Sequence, residues 1–182
     1  MFNLFKKSFL ELKKTKTIVI CGLLLAISLI LNTQSIKVGQ ITVISFSFIS
    51  NSISGFLFGP FVAGILAGLT DFIGHFLNPM GNYFFGFTFN AILRGIFFGL
   101  LLYRTVYGMK NLSIRIIISK LLIAIIVSVL LGTLWSAMFF GKSFFVLLVP
   151  RIYKNIIEVP IHSLIIYAIL KMINKVYYQL NL

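Results

Sequence analysis

Acidic residues are almost missing from this 182-residue sequence: three Asp and Glu stand against sixteen Lys and Arg, a formal net charge of +13. Charged residues of both signs amount to only 10%, where a soluble domain carries about 25%, and hydrophobic residues reach 59%. A water-soluble globular chain is excluded by that balance, and a polytopic membrane protein is implied. Cysteine is reduced to Cys21, which excludes an intrachain disulfide and cannot by itself form a metal site. Catalytic signatures are missing too: there is no H-E-x-x-H, no G-x-S-x-G and no paired-Asp phosphotransfer pattern. "GKS" at 141–143 ends like a phosphate-binding loop, but Ser136 stands where the first glycine is required. No ATP site is expected, and without those catalytic signatures no enzyme is expected. No cofactor is expected either, and His75 and His162 read as hydrogen-bonding core residues. The first apolar run has no A-x-A-like cleavage site, so no cleavable signal peptide is expected.

What is present is a series of apolar runs, at about 17–36, 43–59, 60–77, 86–103, 114–138 and 150–172. A span needs roughly 20 apolar residues, so the expectation is an all-α bundle of six transmembrane helices forming one membrane domain over 1–182. Residues 1–16 precede it as a basic, amphipathic segment lying at the membrane surface. "FGP" makes a tight turn between the second and third runs, and Pro150 suits the first turn of the last helix. Lys and Arg cluster between apolar runs rather than on one face, which argues for membrane topology and against nucleic acid. Lys6, Lys7, Lys13, Lys14 and Lys16 precede the first run. Arg104, Lys110 and Arg115 separate the fourth from the fifth, and Lys171 and Lys175 follow the sixth. The alternate loops offer Lys37 and Lys142. Both termini are therefore expected in the cytoplasm, with 37–42, 78–85 and 139–149 facing outward.

Small residues recur four apart: Gly22 and Ala26, Gly55 and Gly59, Ala63 and Ala67, Gly64 and Gly68, then Ala91, Gly95 and Gly99. Such rows let helices approach closely in lipid.

Ionisable residues inside the spans mark function. At about 100° per residue, Arg151, Lys154, Asn155, Glu158 and His162 share an arc of about 100°, with Pro160 on the far side. That stripe faces the bundle interior or a cavity. Glu158 can pair with Lys154 one turn away. Asp71 and His75 in the third run, and Asn90 and Arg94 in the fourth, supply polar groups at similar depth, with Asp71, Arg94 and the Arg151–Glu158 group all within roughly 10–15 Å of the outer surface at 1.5 Å per residue. Arg94, Arg151 and Lys154, with Lys142 above them, outnumber Asp71 and Glu158. Pairing Arg94 with Asp71 and Lys154 with Glu158 would account for half of those cations. The surplus implies an anionic ligand, most naturally a carboxylate, captured from outside. Aromatics frame the same end: Tyr83, Phe84, Phe85 and Phe87 before the fourth helix, Trp135, Phe139 and Phe140 at the end of the fifth. They serve as an interfacial belt or as stacking surfaces for a flat ring beside glycines 81 and 86.

"GPFVAGILAGLTDFIGHFLNPMGNYFFGFTFNAIL" (59–93) and "GTLWSAMFFGKSFFVLLVPRIYK" (132–154) resemble the folate-specific S components of energy-coupling factor (ECF) transporters. The shared pieces are G-P followed by D-hydrophobic-hydrophobic-G, then G-x-Y-F-x-G-F-T, T-L-W, G-K-x-F and L-L-x-x-R-x-x-K, over about 17–172. The resemblance implies a vitamin-capturing subunit of the bacterial cell membrane. Its implied partners are a transmembrane coupling protein and two ATPases that supply the energy. It also implies folate as ligand, with Arg151 and Lys154 on it, Lys142 assisting, and Trp135, Tyr83 and Phe85 available for stacking. Asp71 or Glu158 would accept the pterin's N–H donors or brace a cation. Partner docking falls to Gly22 and Ala26, where the family commonly has A-x-x-x-A. Arg94, in place of an apolar or small residue, and Gly132, in place of a frequent Asn, depart from the family pattern. A different vitamin, for which Arg94 speaks, and a non-transporting membrane scaffold are the alternatives.

Overall fold

Punctuating residues and apolar length together set the helix boundaries. The computed structural model of the chain describes residues 2–33, 36–38, 42–44, 46–79, 82–103 and 111–179, with side chains described over 3–33, 46–79, 82–103 and 111–175. Gly81, Arg104, Lys110 and the Lys37 side chain lie outside these. In chain order the elements are α1 (Phe2–Glu11), α2 (Thr15–Thr33), the short strands β1 (Ile36–Val38) and β2 (Thr42–Ile44), α3 (Phe48–Phe58), α4 (Pro60–Leu77) and α5 (Phe85–Leu102). Two more follow: α6 (Leu112–Phe140) and α7 (Phe144–Gln179).

Among the described residues the chain is all-α apart from one antiparallel strand pair, in which Lys37 faces Val43. Among the described residues, five helices are long and apolar enough to cross a membrane: α2, α4, α5, α6 and α7. The expected run 43–59 is divided. Thr42–Ile44 pairs with β1, and only the 11 residues Phe48–Phe58 are helical, about 16 Å at 1.5 Å per residue. So short a helix cannot reach across about 30 Å of hydrocarbon. It is instead enclosed by protein, with Ser50, Asn51, Ser52, Ser54 and Phe56 buried, the condition under which interrupted helices persist at membrane depth.

Gly59 ends α3 at φ +86°, a backbone region open to glycine, and Pro60 occupies the first turn of α4, where its missing N–H costs nothing. The small-residue rows fall between helices as their spacing requires. A Cβ on Gly55 would lie 2.8 Å from the Gly99 nitrogen. One on Gly95 would strike the Ala63 carbonyl, and one on Gly99 would strike Pro60. These approaches bring α3, α4 and α5 into backbone contact.

The core has two parts. Phe48, Phe56, Phe98, Ile116, Val127, Ile166 and Leu170 join α3, α5, α6 and α7. Cys21, Leu24, Phe58, Val62 and Leu66 join α2, α3 and α4. Outward faces are equally apolar, as at Phe145, Leu164 and Met172, each at least 70% exposed. Lipid is the solvent for such a surface.

Two helices depart from the sequence expectation. α7 begins at Phe144, so Pro150 and Pro160 both lie inside it; Pro150 is not a first-turn residue. The boundary before it is Gly141, whose φ of +63° closes α6 with a left-handed cap. In α6, Ile123–Leu131 is wound as a π-helix, and the Gly132 N–H bonds the Val127 carbonyl five residues back. π-wound turns are rare and concentrate at functional sites.

Candidate functional site

The π-wound stretch of α6 faces the polar stripe of α7. Arg151 donates from Nη1 to the Ser128 carbonyl at 3.2 Å and from Nη2 to the Ser136 hydroxyl at 2.6 Å. Asn155, one turn on, donates to the Ser128 hydroxyl at 2.8 Å and to the Arg151 carbonyl at 2.7 Å. Gly132 makes this seat possible, since a Cβ there would collide with Nη1 of Arg151. Every acceptor of the guanidinium is neutral, and its Nε is buried with no partner. The fully buried Thr133 hydroxyl is likewise unpartnered. Arg151 is thus held firmly and left unneutralised.

Further along the stripe, Lys154 pairs with Glu158 at 3.4 Å, as their one-turn spacing suggested. Arg94 reaches across from α5. Its Nε points at the Asn90 carbonyl at 3.4 Å, a weak bond. Of the two pairings that would have neutralised half the cations, Lys154–Glu158 forms and Arg94–Asp71 does not. Asp71 accepts from the Thr88 hydroxyl at 2.7 Å, and Thr88 lies 2.6 Å from the Tyr83 hydroxyl. Thr88 has a single proton, given to Asp71, so Tyr83 donates to Thr88. The result is a relay running from the loop before α5 to the carboxylate on α4.

The Asn90 side chain connects this half to α6, accepting from the Trp135 indole N–H at 3.2 Å. Trp135 lies over Gly86, where a Cβ would stand 2.8 Å from its ring, and beside Phe84 at 5.9 Å between centroids. Phe84 also meets Phe139 at 5.5 Å, and Tyr83 packs edge-on with Phe72 at 5.6 Å. An aromatic wall therefore stands at the end of α6 and the start of α5.

Arg151, Lys154, Glu158, Arg94, Asp71, Trp135 and Tyr83 thus share one side of the bundle. Two others stand apart. Phe85 is 66% exposed, and the inward ring is that of its neighbour Phe84. Lys142 is exposed in the loop between Gly141 and Ser143. Gly22 and Ala26 both lie on the exposed face of α2 with Ile18, Leu23 and Ile30, and the Gly22 Cα borders open space.

One cation was overlooked in the sequence. Lys120, on α6, is 8% exposed and lies 3.1 Å from Nδ1 of His162. Phe48 stacks on that imidazole at 3.8 Å and lies 5.6 Å beneath the ammonium. Its signal was plain, because Lys120 is the one charged residue between Ile116 and Leu131. Lys120 takes the place of Lys142 among the enclosed cations: Arg94, Lys120, Arg151 and Lys154 face Asp71 and Glu158. The positive surplus is unchanged. Among the described residues no group of three His, Cys, Asp or Glu comes together.

Residues 16–170 match the family described as ECF transporter, substrate-specific component. A folate transporter FolT of Clostridium novyi is 34% identical over 132 residues, covering 72% of this chain and 74% of that protein. A folate transporter FolT of Leuconostoc mesenteroides is 27% identical over 161 residues, with 86% and 85% covered. In three dimensions the chain is similar to the crystal structure of FolT bound with folic acid, at a TM-score of 0.77 and 33% identity, over 86% of this chain and 93% of that one.

Proposed function

The chain belongs to the family of ECF transporter substrate-specific components, and on that premise we propose that it captures folate at the outer side of the membrane for import driven by partner ATPases. It is a multi-pass protein of the bacterial cell membrane. Folate carries two carboxylates on its glutamate and a flat pterin with adjacent N–H donors. Those demands suit the cation surplus, the relay ending at Asp71 and the aromatic wall.

The observation that carries this reading is Arg151, hydrogen-bonded only to neutral oxygens with Nε buried and unpartnered. Arg151 and Lys154 take the ligand's anionic or ring-acceptor atoms. Asp71, oriented by Thr88 and Tyr83, accepts from the pterin. Trp135 supplies the stacking face, Glu158 braces Lys154, and Lys142 draws the anion in from the loop. The exposed face of α2 around Gly22 and Ala26 meets the transmembrane coupling protein of the importer. A purely scaffolding role fits poorly with a buried guanidinium that the protein itself leaves unneutralised.

The test has two parts. Mass spectrometry of the small molecule that copurifies with the chain identifies the ligand; a different vitamin there would transfer the role of Arg94 to that compound's chemistry. Calorimetry with folate in detergent should then show tight binding that Arg151→Ala weakens more than tenfold, equivalent to at least ~1.4 kcal/mol. Equal affinity in the two proteins removes Arg151 from the site.

A further inference from the structure

A single buried hydroxyl fastens the N-terminal helix to the bundle. Ser8 donates to the Phe58 carbonyl at 2.6 Å and accepts the backbone N–H groups of Phe61 at 3.1 Å and Val62 at 3.2 Å. It thereby closes the α3–α4 corner at Gly59. Leu4, on the same face of α1, is buried as well, and Phe9 meets Phe61 edge-on at 5.4 Å. α1 is therefore a fixed part of the protein rather than a loose tail.

Its outer surface is basic and greasy together. Lys6 and Lys7 are exposed, with Leu10 45% and Phe9 49% exposed beside them. Lys13 and Lys16 are exposed in and just after the turn to α2. Glu11, the only acid before α2, already pairs with Lys14 at 2.9 Å. α2 enters hydrocarbon within one turn of Lys16, so this surface stands at headgroup level. The ten residues of α1 extend it by about 15 Å at 1.5 Å per residue.

We propose that the outer face of α1 and the α1–α2 turn form a binding surface for anionic phospholipid, with Lys6, Lys7, Lys13 and Lys16 on the headgroup phosphates and Phe9 and Leu10 against the acyl chains. A soluble anion would satisfy the lysines and leave the apolar side chains in water; a lipid satisfies both. The surface is separate from the Arg151 site, and its occupancy does not depend on which vitamin is carried.

The full chain in detergent, titrated with phosphatidylglycerol and with phosphatidylcholine, tests this by native mass spectrometry. Each lysine near an anionic headgroup contributes roughly fivefold. The wild type should retain phosphatidylglycerol more than tenfold better than phosphatidylcholine. Lys6→Gln/Lys7→Gln should lose at least fivefold of that preference, and Lys6→Arg/Lys7→Arg should keep it. Lys13, Lys14 and Lys16 remain in both variants to hold membrane orientation, and unaltered folate binding verifies that each is folded. Glycerol 3-phosphate at equal concentration should not compete. Wild type without lipid preference, a preference that survives the glutamine changes, or competition by glycerol 3-phosphate would each overturn the assignment.

Discussion

Replacing Gly132 by Ala separates the position of Arg151 from its charge. A Cβ at residue 132 would occupy the place of Nη1, stand 3.6 Å from Cζ of Arg151 and lie 3.1 Å from the Val127 carbonyl oxygen. The group in the way is the end of a flexible side chain, so the guanidinium yields rather than the helix. Alanine is favoured over glycine inside a helix by about 0.5–1 kcal/mol, which offsets part of the crowding, and thermal stability should change little. Binding should not be spared. A displaced guanidinium loses its seat on the Ser128 carbonyl and the Ser136 hydroxyl, and with it the geometry presented to an anion. A charge-assisted hydrogen bond is worth about 1.5–3 kcal/mol, or roughly ten- to hundredfold in affinity at ~1.4 kcal/mol per decade. Calorimetric titration with folate alongside thermal unfolding by circular dichroism measures both. The double variant Gly132→Ala/Arg151→Ala should bind no more weakly than Arg151→Ala alone, because both changes act on the same contact. If Gly132→Ala binds folate as the wild type does with its melting temperature unchanged, the seat of Arg151 is irrelevant to the ligand and the site assignment fails.

Three further substitutions probe neighbouring groups. Glu158→Gln should hold or raise folate affinity, since it removes a negative charge from a net-positive site while Lys154 stays in place; a tenfold loss by calorimetry would show that Glu158 contacts the ligand itself. Asp71→Asn should weaken folate more than tenfold, yet leave the binding of the aminobenzoyl-glutamate fragment, which lacks the pterin, within threefold of wild type. Equal losses for the two ligands would place Asp71 away from the pterin. Lys120→Met removes a cation that is 8% exposed, with a neutral imidazole nitrogen 3.1 Å away, and keeps a linear apolar stem. Buried charges replaced by apolar groups of similar volume are often neutral or stabilising by about 1–4 kcal/mol, so the melting temperature should hold or rise, and a clear fall would reveal a compensating partner.

The sequence was most readable where punctuation and apolar length agree. α4 occupies Pro60–Leu77 because Gly59 and Pro60 mark its start and a predominantly apolar run extends to the Asn78-Pro79 pair. The stretch 43–59 lacked such agreement. A short apolar run is compatible with strand or helix alike, and nothing local announces that Thr42–Ile44 pairs with β1. At α7 the first-turn preference of proline pointed to Pro150, whereas the left-handed Gly141 sets the true boundary. The polar stripe of α7 was legible because helical periodicity is a property of one segment. Its partners were not, since Ser128 and Ser136 gain meaning only through the π-winding of α6, which no local pattern signals. The aromatic wall turned on a single residue: Phe84 stays extended as the N-cap of α5 and turns inward, leaving Phe85 outside.

The π-winding and the charge surplus belong to one device seen from two helices. Holding a cation inside a membrane protein needs acceptors, and a carboxylate would be the strongest. A carboxylate would also neutralise the guanidinium, and an incoming anion would then have to break an ion pair in a low dielectric before binding. Ser128 and Ser136 avoid that conflict. Their oxygens fix Arg151 at 3.2 and 2.6 Å without cancelling its charge, so the site is oriented in advance and still attractive to an anion. Lys154 lies on the same helical face but is matched by Glu158 at 3.4 Å, which limits how far the total positive charge accumulates. The division of labour accounts for a chain with three acids and sixteen bases placing one of its few carboxylates on that stripe: it moderates the surplus while leaving the guanidinium nearest the π-wound turn unneutralised.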